Sequence, residues 1–148
     1  MKSFGSYNPA VAAPFIKKWE GYRDVAYKCP LGVWTLGYGH TLHVEEGDLC
    51  TKEQASAWLF EDLEKTQQAL APYVNVPVSE QQFIALMSLA FNLGASGVVR
   101  KCPKLMRALN VRDYEACADE FLDITNGGVP GLVARRRAES ALMREEEN

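Results

Sequence analysis

The chain has 148 residues and a mass of 16.5 kDa, the size of one domain or of two small lobes sharing a core. Hydrophobic residues make up 47% and charged residues 24%, which excludes wholesale disorder. Sixteen Lys and Arg against nineteen Asp and Glu give a formal charge of −3, which argues against a nucleic-acid partner.

The opening run MKSFGSYNPAVAAPF is interrupted by Gly5, Asn8, Pro9 and Pro14, unlike the continuous apolar stretch of a signal peptide. No apolar run approaches the roughly 18–20 residues of a membrane span. Cytoplasmic synthesis without stable membrane insertion is therefore expected. In that compartment Cys29, Cys50, Cys102 and Cys117 read as thiols. Their spacing fits neither a zinc site nor a C-x-x-C redox pair. A chain of this length buries roughly 68–70% of its unfolded surface, so it needs neither metal nor disulfide to stay folded.

Pro14 fits the first turn of a short helix over Phe15–Glu20, whose apolar face is Phe15, Ile16 and Trp19 and whose stop is Gly21. Residues 22–50 change character. Gly32, Gly37, Gly39 and Gly47 punctuate β-prone runs such as Val33–Leu36, which predicts a small sheet with tight turns. Thr51 and Gln54 have capping-box spacing and open a helix reaching Pro72, with Ala55, Trp58, Leu59, Leu63 and Leu70 at helical intervals. Ser79 and Gln82 repeat the capping box ahead of Phe83, Leu86, Leu89 and Leu93, and Gly94 ends that helix. Shorter helices are expected over 105–109 and 114–122. Asn126-Gly127-Gly128 marks a turn, and Pro130 opens a last helix, Leu132 to about Arg144.

The chemistry gathers in residues 17–41. Glu20 ends a short helix beside Trp19, with a glycine- and aromatic-rich turn structure to follow. A carboxyl held against apolar surface favours its neutral form and can act as a general acid near neutral pH. On its own, a Glu at a helix end is more often plain surface. The spacing adds specificity: eight residues separate Glu20 from Cys29, and five separate Cys29 from Thr35.

This stretch resembles the phage-type lysozymes, glycoside hydrolase family 24, whose active site is a Glu, an Asp and a Thr at these offsets. TLGYGHT (35–41), TKEQASAWLFEDL (51–63), QQFIALMSLAFNLG (81–94) and GGVPGLVARRRAE (127–139) extend the resemblance over nearly the whole chain. It implies a mostly α member of the α+β class with a lysozyme-like fold. The expected arrangement is one domain over 1–148: a small β-containing N-terminal lobe over about 14–50, an inter-lobe helix over about 51–71, and a helical C-terminal lobe over about 72–148.

The sequence departs from the family at the second position, where Cys29 stands in place of the Asp. A thiolate there has two open roles: attack on the sugar, or activation of a water. A buried cysteine packing as a small hydrophobe is the plainer alternative. Thr35 is expected to place the water or Cys29 through its hydroxyl. Cys29 with His40 also invites a thiolate–imidazole reading. The resemblance instead makes His40 structural, paired with Asp62, and leaves His43 on the surface. Three consecutive arginines cannot share one helix face. By resemblance one of Arg135–Arg137 pairs with the catalytic Glu, with Arg135 favoured over Arg136. Thr41, Phe91 and Asn92 are placed near the substrate.

The implied activity is hydrolysis of the β-1,4 bond between N-acetylmuramic acid and N-acetylglucosamine in bacterial peptidoglycan, as by an endolysin that lyses a phage's host. No metal or organic cofactor is implied. The expected protein is a monomer, made in the host cytoplasm and reaching the wall through a holin-type pore. The alternative is a non-catalytic lysozyme-like peptidoglycan-binding protein, suggested by the missing Asp and opposed by the retained Glu20.

Overall fold

The computed structural model describes residues 1–146. Helix α1 (Ala13–Glu20) follows a 3-10 turn over Pro9–Ala12 and carries Pro14 in its first turn, where a missing N–H costs nothing. Gly21, at φ 70°, ends it. Two antiparallel strands follow, β1 (Arg23–Lys28) and β2 (Trp34–Gly37), with Tyr27 opposite Thr35 and Lys28 opposite Trp34. The hairpin turn closes where Gly32 donates its N–H to the Cys29 carbonyl at 2.8 Å.

A two-stranded sheet is marginal alone and needs a surface to pack on. Helix α2 (Lys52–Leu70) supplies it. Gly37 lies so close that a Cβ there would sit 2.9 Å from that of Ala55. Both hydrogen bonds of the Thr51–Gln54 capping box form, and Ala55, Leu59, Leu63 and Leu70 are buried on one face. The 3-10 turn Ala71–Tyr73, containing Pro72, then ends the helix.

The remaining helices are α3 (Glu80–Leu93), α4 (Ala95–Lys101), α5 (Pro103–Asn110), α6 (Tyr114–Phe121) and α7 (Pro130–Met143). The Ser79–Gln82 capping box forms in full. α3 lies at the centre, with Phe83, Ala85, Leu86, Met87 and Leu89 fully buried, and α7 packs along it. Helix α7 begins at Pro130, the residue expected to open it, whereas α5 begins at Pro103, two residues ahead of the periodic start at 105. Proline's fixed φ suits the first helical turn, and apolar periodicity does not register it. Helix α4 has no counterpart among the expected helices. Its Gly97 and paired Val98 and Val99 have poor helix propensity, so burial of Val98 and Gly97 decides its form.

Residues 1–12 also join the core. Phe4 and Tyr7 each place a ring 4.9 Å from that of Phe83. Lys2 pairs with Val78 through two backbone hydrogen bonds. Gln67, buried on α2, donates to the carbonyls of Phe4 and Tyr7 at 3.1 and 2.8 Å. All four cysteines are free.

Candidate active site

Glu20 is the last residue of α1, and its carboxylate receives a hydrogen bond from Arg135 Nη1 on α7 at 2.7 Å. The Glu20 side chain retains 18% exposure, while that of Arg135 retains 5%. The turn after β2 presses against the same carboxylate. A Cβ on Gly39 would lie 2.7 Å from Glu20 Oε1 and 3.4 Å from the Phe91 ring, and its φ is +76°. The glycine thus lets three elements, α1, the turn and α3, meet at the acid.

Arg135 does more than meet Glu20. Its Nε faces the Ser88 hydroxyl at 3.2 Å and Glu139 at 3.4 Å, and its Nη2 donates to the Ser88 carbonyl at 3.1 Å. Arg136 also turns inward, donating to Glu139 at 2.7 Å and to the side-chain oxygen of Asn92. Glu139 is fully buried and accepts from the Ser88 hydroxyl as well. Burial pushes its carboxyl up against the opposing pull of Arg136. Burial likewise pushes the Arg136 guanidinium down. Only Arg137 of the three arginines is exposed. Sequence reasoning missed Ser88 and Glu139. A signal was present in RRRAE, which places Glu139 at i+3 from Arg136 and i+4 from Arg135. Asn92, expected near the substrate, spends its side-chain oxygen on Arg136.

Cys29 is half-buried at the hairpin turn. Its thiol is held below its ordinary value chiefly by hydrogen bonding with Val33, outweighing the opposing effect of burial, with help from Leu31, the Thr35 hydroxyl and Gly32. Thr35 is buried and donates its hydroxyl to the Val33 carbonyl at 3.0 Å. The other two shifted thiols go the opposite way: burial raises Cys102 and pushes Cys117 up to about 12.

His40 is spent on α2. Its Nδ1 lies 2.7 Å from Asp62 Oδ2, and its ring stacks on Trp58 at 4.8 Å and 14°. Its backbone pairs with Leu36 in both directions, which closes the turn carrying Gly39. Thr41 follows, exposed, and His43 is exposed at φ 57°. Two cavities of about 340 and 360 Å³ lie beside Cys102 and beside His40, and neither is lined by Glu20 or Cys29. Among the described residues no cluster of three or more His, Cys, Asp or Glu is placed to hold a metal.

Residues 17–139 match the family model for phage lysozyme. The chain is 41% identical to an endolysin of Acyrthosiphon pisum secondary endosymbiont phage 1 over 135 residues, covering 86% of this chain and 91% of that protein. A solved mutant of P22 lysozyme shares 34% identity at a TM-score of 0.73, covering 97% of this chain and 98% of that one. The endolysin of Escherichia coli O157:H7 phage FAHEc1 shares 27% identity at a TM-score of 0.81, covering 91% of each. The two-lobed arrangement around a Glu20 held by the last helix thus comes with sequence identity along nearly the whole chain, and the chain belongs to the phage lysozyme family.

Proposed function

We propose that this cell-wall muramidase uses Glu20 as its general acid, with Cys29 and Thr35 acting on the opposite face of the sugar. Glu20 gives its proton to the oxygen leaving C1 of N-acetylmuramic acid, so that oxygen departs as the 4-hydroxyl of N-acetylglucosamine. On the other face, the Cys29 thiolate either takes a proton from the attacking water or bonds to C1 and is later displaced by water. Thr35 orients Cys29. Thr41 and Phe91 contact the glycan, and Asn92 stands beside them. Arg135 positions Glu20, and the His40–Asp62 pair holds the turn that carries Gly39.

The observation that carries this reading is the contact of one partly exposed acid with Arg135, Gly39 and the neighbourhood of Phe91. Glu20→Gln keeps that shape and removes the transferable proton. Mass analysis of soluble fragments from purified walls should then show no new muramic reducing ends, with an unchanged circular dichroism spectrum. Normal fragment release by this variant would sink the assignment. Cys29→Asp should release fragments if Cys29 activates water, and Cys29→Ala should not.

The lobe boundaries, 14–50, 51–71 and 72–148 within one domain, belong to the same proposal. So do a monomeric state, synthesis in the host cytoplasm and passage to the wall through a pore made by another protein. Sedimentation equilibrium checks the first of these last three. Lysis on expression with and without a co-expressed pore protein checks the others.

A further inference from the structure

Arg135 presents a problem to an acid catalyst. A cation 2.7 Å from a carboxylate favours its charged form, whereas a general acid must hold its proton until it is used. The structure places a second carboxylate behind that cation. Glu139 is wholly buried, and no part of the proposed reaction uses it. Its Oε1 takes Arg136 at 2.7 Å, and its Oε2 faces Arg135 at the looser distance of 3.4 Å. The cluster thus holds two guanidinium groups and one carboxylate before Glu20 is counted. One net positive charge faces Glu20.

We propose that Glu139 is a positioning residue that limits the positive charge seen by Glu20, acting through Arg135 and held in place by Arg136 and Ser88. The inference rests on the assignment of Glu20 as the acid.

The groups around the pair are few. Glu20 meets Arg135 from α7, and uncharged Gly39 and Phe91 lie next to it from the turn and α3. On its own helix, Lys17 reaches away to Ser56 and the Tyr38 ring, and Lys18 lies over Trp19. Glu139 meets Arg135 and Arg136 from α7 and the Ser88 hydroxyl from α3. Asn92 binds the far side of Arg136, and Cys102, between α4 and α5, couples to that arginine electrostatically. No third carboxylate meets either guanidinium among the described contacts. Each change of cluster charge should therefore be felt at Glu20 with a defined sign.

The test titrates the Glu20 carboxyl directly, by NMR of protein labelled with ¹³C at glutamate carboxyls, in the full chain without substrate. Glu139→Gln leaves two cations and no buried anion behind Glu20, so its midpoint should fall by about one pH unit. Arg136→Met removes one cation, so the midpoint should rise. The double variant restores the net charge, and its midpoint should return to the parental value. A merely structural Glu139 would lower the melting temperature, leave the Glu20 midpoint unmoved in Glu139→Gln and leave the shift of Arg136→Met uncancelled in the double variant, which would overturn the proposal. So would a double variant that keeps the shift of Glu139→Gln. If Glu139→Gln does not fold, the opposite shift in Arg136→Met and its cancellation in the double variant still decide the matter. The readout needs no turnover, so its failure is distinguishable from an active Glu20→Gln, which would remove the acid assignment itself.

Discussion

The α7 side of the site and the hairpin side are held by different means. On α7, Arg135, Arg136 and Glu139 are 4%, 0% and 0% exposed, and each answers another's charge. On the hairpin, a half-buried thiol and a hydroxyl lean on backbone groups of the turn over 29–33. A buried ion cluster tolerates loss of one member poorly, because the partner is left charged in a low-dielectric interior. A turn whose hydrogen bonds come from its own backbone is indifferent to most side chains placed on it. Cys29 thus lies on the tolerant side, whereas Glu20 is tied to the intolerant one.

Outcomes of decreasing size would break or sharpen that contrast. Glu20→Gln should cost about 10²- to 10⁴-fold in wall hydrolysis with little loss of stability, read by turbidity and by urea denaturation. Arg136→Ala should destabilise the fold by about 3–5 kcal/mol, since it strands Glu139 in the core. Loss of less than 1 kcal/mol in that denaturation would show that the cluster is not the rigid half. Gly39→Ala joins the two sides. Its left-handed backbone costs roughly 1–2 kcal/mol with a side chain, and its Cβ would push Glu20 aside. A displacement of that kind should slow hydrolysis about 100-fold, whereas a loss tracking stability alone would deny the contact any part in placing the acid.

The smallest effects belong to the hairpin. Cys29→Asp and Cys29→Ala should each stay within about 1 kcal/mol of the parent, as surface substitutions do. Iodoacetamide should modify Cys29 in the folded protein with a midpoint below the ordinary thiol value of 9.0, because a lowered pKa raises the thiolate fraction at every pH beneath it. Cys117, at about 12, should react only on unfolding. Thr35→Val should move the Cys29 midpoint back upward, as the hydroxyl that favours the thiolate is lost. An unmoved midpoint would assign the shift to the turn's backbone alone.

Both capping boxes were readable in the sequence because a cap is a local event, complete within four residues. The same holds for Gly21 and Gly94 as helix stops. Glu139 and Arg136 were not readable as buried residues. A charged residue on a helix is solvated by default, and only the approach of α3 brings Ser88 and Asn92 to them. Residues 1–12 carried no signal for the same reason: Phe4 and Tyr7 are core only because Phe83 and Gln67, far along the chain, receive them. Glu20, Cys29 and Thr35 stood out through their offsets. The resemblance also placed Arg135 beside Glu20, and the pair forms, whereas the approach of Gly39 to the carboxylate is a product of tertiary packing that no local pattern announces.

The Glu20–Arg135 pair joins residues 115 apart, from the first α-helix to the last. The chain from α1 through α7 must therefore leave the ribosome and fold before Glu20 acquires its partner. Contacts of such separation form late, since loop closure precedes any reward from them. A nascent or truncated chain ending before α7 would carry Glu20, Cys29 and Thr35 yet lack the arginine that holds the acid. The geometry of Glu20 is thus set by the last of the described helices to be made.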